Sequence, residues 1–265
     1  QLLSIADATA FINVWEGSVR SGKTFASIVA WGKFVMQAPP GELMIVGRTS
    51  EAILRNVVRP MQELFKGYVS WAPGKRVLTL CDREIWVVGA ADERAAGKIQ
   101  GSTLVGAYVD EIALIPRTFF EMLVSRLSLE GSRLFGTCNP DSPFHWLKEK
   151  LDKADGRYLK YWHFDLMDNP YLPTGYVDNL KKSYSGLWYK RFIEGKWVLA
   201  EGTIYDFFDS KLHVIDHRPN LAREYVVGID YGTTNPTAFV LIGVNKNAFP
   251  NVWVEAEYYW DSKAQ

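Results

Sequence analysis

The chain has 265 residues, 48% of them hydrophobic, which suits a large buried core and one domain plus part of another. Thirty basic and thirty acidic residues cancel, so any contact with nucleic acid has to come from a local patch rather than a global basic field. No eighteen-residue apolar run or secretory leader is visible, and two cysteines, Cys81 and Cys138, are too few for a disulfide scaffold and fit a reducing cytosol. The start at Gln1 rather than Met, and a polar end soon after a strand-like run, lead us to expect a piece of a longer protein.

In chain order, Phe11–Trp15 reads as a short buried strand running into a Gly-rich turn, and Thr24–Met36 as a helix stopped by Pro39-Pro40-Gly41. Leu43–Val46 is a second apolar strand, and Ser50 is a plausible N-cap for a helix reaching about Phe65. Val77–Leu80 and Ile85–Val88 predict a hairpin; a strand at Leu104–Val109, a helix from Arg117 to about Leu127 and a strand at Arg133–Thr137 follow. Strands alternating with helices indicate an α/β domain with a mainly parallel sheet, here residues 1–164. Residues 165–222 read as an aromatic-rich, helical linker. From 223 to 265 a new β pattern opens, with YVVGID, TAFVLIGV and VWVEAEYYW joined by tight turns.

Gly17-Ser18-Val19-Arg20-Ser21-Gly22-Lys23-Thr24 satisfies G-x-x-x-x-G-K-[ST] between a strand and a helix, the setting this phosphate loop requires. Its backbone N–H groups would wrap the β-phosphate of ATP, Lys23 would reach the β/γ-phosphates, and the Thr24 hydroxyl would bind Mg²⁺. At the end of the Leu104–Val109 run stand Asp110, a magnesium ligand through water, and Glu111, a base that polarises an attacking water. A helix cap is the plainer reading of that pair. Thr137 and Asn139, at the end of the next strand, would lie beside the γ-phosphate and sense it, unless Asn139-Pro140 is an ordinary turn. Arg20 is a candidate charge stabiliser in cis, or a solvated arginine, and Gln1 a candidate reader of the adenine edge.

Asp230 ends an apolar run in Gly228-Ile229-Asp230-Tyr231-Gly232, the placement of a first metal carboxylate in ribonuclease H-like nucleases. The string also resembles the first phosphate loop of actin-like ATPases, and a plain turn aspartate is a third reading. Asp206, Asp209, Asp216, Glu255 and Glu257 lie nearby in sequence without a pattern that joins them to it.

Taken in order, VWEGSVRSGKT, VGRTS, GAYVDEI, GTCNP, DNPYL, GKWV, AEGTIYD and GIDYGTTNP resemble the large terminase subunit of tailed bacteriophages over nearly the whole chain. The resemblance implies a P-loop ATPase that packages double-stranded DNA into a procapsid, followed by a ribonuclease H-like endonuclease that cuts the concatemer. It implies Lys23 and Thr24 as nucleotide ligands, Asp110 and Glu111 as magnesium ligand and base, Thr137–Asn139 as the coupling motif, Arg20 as the cis arginine, Asp230 as the first nuclease carboxylate, and 165–222 as lid or linker. It further implies Mg²⁺ with ATP, Mg²⁺ or Mn²⁺ at the nuclease site, a small terminase subunit and a portal protein as partners, a ring when docked, and action in the host cytoplasm without a membrane. The remaining nuclease carboxylates are expected beyond Gln265, so the nuclease is expected to be incomplete in these residues. A helicase-like or repair DNA-dependent ATPase is the alternative, sharing the P-loop and acidic pair but not explaining GIDYGTTNP.

Overall fold

The computed structural model describes residues 2–184, 186–199, 213–215, 222–231, 237–247 and 249–260. Gln1, Asp206, Asp209, Asp216 and the turn at 232–236 lie outside them. The chain forms two compact units, Gln1–Ile204 and Tyr205–Gln265, so the described part of the expected linker up to residue 199 belongs to the first.

In the first unit a short helix α1 (Leu2–Ala6) precedes β1 (Ile12–Gly17), α2 (Lys23–Gln37) and β2 (Glu42–Gly47). Strands β3 (Val69–Ala72), β4 (Val77–Leu80), β5 (Arg83–Gly89), β6 (Leu104–Val109), β7 (Arg133–Cys138) and β8 (Leu159–Phe164) complete an eight-stranded sheet in the order β3-β4-β5-β2-β6-β7-β1-β8. From β5 to β8 neighbours run parallel, while β3 and β4 add an antiparallel margin. Every residue of β1 and β6 is buried, as expected of central parallel strands covered on both faces. Successive side chains of β6 feed opposite cores. Val105 and Tyr108 pack with Trp15, Trp31, Phe34 and Phe135 on one face, and Leu104, Ala107 and Val109 with Phe119, Phe120 and Leu123 on the other.

The order of strands positions the site. β7 lies between β1 and β6, so its C-terminal end stands between the phosphate loop and the acidic pair. The hairpin expected from the sequence gains β3 as a third strand, and β8 pairs with the full length of β1. Neither extra strand is an apolar run: β3 is half-exposed, and β8 is buried only at its ends, Leu159 and Phe164.

The helix after β2, α3, differs from expectation at both its cap and its middle. Thr49, not Ser50, is the N-cap; its side chain accepts from the Ala52 N–H at 3.1 Å. The helix runs through Ser50–Ile53, widens into a π-helical turn at Leu54–Val58, and continues as Arg59–Leu64. Pro60 accounts for the widening. It has no N–H to give the carbonyl of Asn56, and Arg59 N–H bonds five residues back to Leu54 instead.

In the second unit β9 (Glu224–Asp230), β10 (Thr237–Val244) and β11 (Val252–Trp260) make the expected antiparallel meander, with β10 in the middle. Among the described residues no helix is long and apolar enough to cross a membrane.

Candidate nucleotide-binding site

The loop between β1 and α2 is shaped by two glycines. Gly17 has φ 135°, and a Cβ there would fall 2.0 Å from the Phe164 carbonyl oxygen, so any side chain would drive β8 away. Gly22, at φ 91°, caps α2 and supplies no side-chain acceptor to its first turn, leaving those N–H groups for an anion. Inside the loop Ser21 Oγ donates to the Ser18 carbonyl at 2.9 Å, and Arg20 takes the left-handed conformation at φ 56°.

Lys23 is buried, and its ammonium donates to the Ser18 carbonyl at 2.7 Å and to Asn139 Oδ1 at 2.9 Å. Burial pulls its pKa down to about 8, against the opposing pull of Cys138, Glu111, Glu16 and Asp110. An incoming phosphate chain would replace these two neutral acceptors with full negative charge.

Asp110 is 4% exposed. Its Oδ1 accepts from Thr137 Oγ1 at 3.2 Å and its Oδ2 from Asn56 Nδ2 at 3.0 Å. Glu111 adopts φ 53°, ψ 63°, a costly backbone for a residue with a Cβ, and its N–H donates to the same Thr137 oxygen at 3.2 Å. Thr137 therefore ties both acidic residues to the strand between them and the loop. Burial raises the pKa of Asp110 and of Glu111, and Asp110 adds to the rise at Glu111.

These groups line a cavity of about 510 Å³ together with Val19, Arg20, Thr24 and Arg55. Two adjacent desolvated carboxylates beside a threonine hydroxyl are hard oxygen donors whose charge a divalent cation would offset. Mg²⁺ takes one or two protein oxygens and completes its shell with phosphate and water. The donor set fits that ion. Among the described residues no cluster of three or more His, Cys, Asp or Glu forms a protein-only cage. The structure thus brings the sequence-expected Lys23, Thr24, Asp110, Glu111, Thr137, Asn139 and Arg20 to the lining of one cavity.

The segment after β8 folds back on the loop. Ser18 N–H donates to the Phe164 carbonyl and Val19 N–H to that of Phe192, each at 2.9 Å, and Asn169 Nδ2 donates to the Arg20 carbonyl at 2.7 Å. Beneath the loop, buried Glu16 receives Trp197 Nε1–H at 3.1 Å and lies 2.8 Å from His163 Nδ1. His163 Nε2 lies 3.1 Å from Asp165. The hydrogen bond to Glu16 lifts the His163 pKa to about 9. Arg191 pairs with Asp141 at 2.5 Å and donates to the Val198 carbonyl, fastening the same segment to the chain beyond β7.

Sequence reasoning missed Asn56, His163 and Glu16. Glu16 stands in VWEGSVRSGKT but outside the phosphate-loop pattern, Asn56 and His163 stand in no motif, and only the fold brings the three to their partners. Asp230 ends β9 as expected and is exposed, opposite Ala238. Glu257 pairs with Val240 on the far strand, about 10 Å across the sheet. Glu255 sits at the β10–β11 irregularity with Oε2 accepting from Trp253 Nε1 at 2.7 Å. Among the described residues Asp230 belongs to no cluster of three or more His, Cys, Asp or Glu.

A phosphate loop on β1, an acidic pair on β6 and a polar strand end between them define a P-loop nucleotide-binding protein with a mainly parallel sheet. Residues 14–212 match the family described as terminase large subunit, T4likevirus-type, N-terminal, and the chain belongs to the large terminase family. It is similar to the large terminase of a thermophilic bacteriophage, at 34% identity and TM-score 0.66 over 98% of this chain and 65% of that one. Against the structure of that same large terminase in complex with ADP the values are 33%, 0.67, 98% and 65%. The ATPase domain of the Thermus phage P74-26 large terminase shares the fold at 15% identity and TM-score 0.55, over 74% of this chain and 92% of that one. The chain therefore spans just under two thirds of the length of the thermophilic phage protein. It matches no curated protein sequence.

Proposed function

We propose that this chain is the ATP-hydrolysing part of a motor that drives double-stranded viral DNA into a procapsid. The observation that carries the reading is the joining of Lys23, Asn139, Thr137, Asp110 and Glu111 around one cavity. Lys23 and the backbone of the loop would hold the phosphates, with Arg20 at the rim beside developing charge. Thr24 and Asp110 would hold Mg²⁺, which neutralises the phosphate charge when bound. Glu111 would orient the attacking water. The thermophilic phage relative, solved with ADP, supports nucleotide binding in this family.

Such a motor would work as a ring of copies at the procapsid in the host cytoplasm, with a small terminase subunit and a portal protein as partners. The second unit would be the opening of a ribonuclease H-like endonuclease using Mg²⁺ or Mn²⁺, with Asp230 as its first carboxylate.

Steady-state ATP hydrolysis with equilibrium nucleotide binding tests the core claim. Lys23→Ala is expected to lose nucleotide affinity. Glu111→Gln is expected to bind ATP and turn over about 10²–10⁴-fold more slowly, the loss typical of a missing general base. Parental turnover in Glu111→Gln would remove Glu111 from that role.

A further inference from the structure

The π-helical turn of α3 brings two residues, neither part of the phosphate loop nor of the acidic pair, into the same cavity. Arg55 and Asn56 both line it. They are linked in series: Arg55 Nε donates to Asn56 Oδ1 at 3.2 Å, and Asn56 Nδ2 donates to Asp110 Oδ2 at 3.0 Å. The bond runs through Nε, and among the described residues the terminal NH₂ groups, the fork of a guanidinium that grips phosphate, make no hydrogen bond.

Position gives the pair its meaning. α3 begins beyond β2, and in the sheet β2 stands three strands from β1, about 14 Å, with β6 and β7 between. Lys23 of the β1 loop and Arg55 of α3 line the same cavity, so a phosphate chain anchored on the loop and running across those strand ends would bring its outermost phosphate nearest Arg55, where a diphosphate would stop short. We propose that Arg55 is the residue by which this site distinguishes ATP from ADP, and that Asn56 is a positioning residue joining it to the magnesium carboxylate Asp110. This rests on the ATPase reading above. The pair lies on the π turn, a kind of helical widening that is frequent at functional sites.

Binding of ATP-γ-S and of ADP to the 265-residue chain, each measured in EDTA and across a magnesium titration, tests the proposal. Arg55→Ala is expected to weaken ATP-γ-S about tenfold while moving ADP less than about twofold, with Arg55→Lys restoring part of the loss. Arg55 is exposed, so these variants are expected to fold. Asn56→Ala is expected to leave binding in EDTA unchanged but to raise the magnesium needed for full affinity about tenfold, with Asn56→Gln recovering part of it. Equal weakening of both nucleotides by Arg55→Ala, or an unshifted magnesium titration in Asn56→Ala, would overturn it. Failure of the parental chain to bind either nucleotide would overturn the ATPase reading and this inference together; parental binding with undiminished discrimination in Arg55→Ala overturns only the inference.

Discussion

Lys23 in the phosphate loop donates its buried ammonium to Asn139 Oδ1, 2.9 Å away and 116 residues later in the chain. The loop's charge is thus held by the strand end that adjoins the acidic pair. A phosphate bound to Lys23 would compete with Asn139 for that ammonium, which gives the coupling expected of Asn139 a direct route to the end of β7.

Two substitutions at Asn139 separate holding from sensing. Asn139→Ala is expected to keep most ATP affinity while slowing turnover about 100-fold, the scale for losing one oriented polar group at a reacting centre. Asn139→Asp offers Lys23 a charged acceptor and is expected to weaken ATP binding itself. Nucleotide titration alongside single-turnover hydrolysis reads both, and parallel loss of affinity and rate in Asn139→Ala would reduce Asn139 to a turn residue.

The backbone of Glu111 predicts an opposition between stability and activity. Its φ of 53° suits glycine, so Glu111→Gly is expected to raise unfolding stability by about 1 kcal/mol while abolishing hydrolysis. Urea melts of parent and variant check this. A less stable variant would mean that the Glu111 side chain itself supports the fold.

His163 gives a pH dependence of definite sign. Its pKa is raised from an unfolded value near 6.5 to about 9, because the charged ring is favoured by Glu16 and Asp165. The stability it contributes is complete below about 6.5 and disappears as pH rises through about 9. Parent and His163→Gln are therefore expected to differ most in denaturation midpoint near pH 6 and to converge by about pH 9.5. The ring is 40% exposed, so solvent screening keeps the difference small. A gap independent of pH would show that the histidine acts through packing alone.

For the second unit, residues 1–265 are expected to nick plasmid DNA weakly or not at all with Mg²⁺ or Mn²⁺, since one carboxylate cannot hold two hard cations. In a chain that carries a complete nuclease domain, Asp230→Ala is expected to abolish cutting and spare ATP hydrolysis. Robust cutting by residues 1–265 that is lost on Asp230→Ala would place Glu255 or Glu257 in the site.

What could be read from the residues follows what the core demands of them. β1, β2, β6 and β7 are buried on both faces and so are written as largely apolar runs. The loop from Gly17 to Thr24 is legible because phosphate binding fixes its residues at fixed spacing. β8 was not legible. As the edge strand its outer positions face solvent, and Lys160 and His163 break the apolar pattern. Asn56 was hidden for a different reason: its partner is 54 residues away, and its orientation comes from a widened helix that Pro60 imposes on an otherwise regular pattern. Ser50 and Thr49 are equally good caps by residue type, and only the start of the turn decides between them.

The pairing of β1 with β8 has a consequence for biosynthesis. Gly17 reaches its partner Phe164 only when about 150 further residues have left the ribosome, roughly 8–30 s at ordinary elongation rates. Until β7 is complete at Cys138, about 120 residues after Gly17, β1 is a strand without either neighbour, and until Phe164 it lacks β8. The nucleotide-binding loop is therefore among the last parts of the first unit to acquire its shape, although its residues are among the first made. Nascent chains shorter than about 164 residues lack the strand that closes the loop, and those shorter than about 138 also lack β7 and leave β1 unpaired, the kind of exposed edge that chaperones cover.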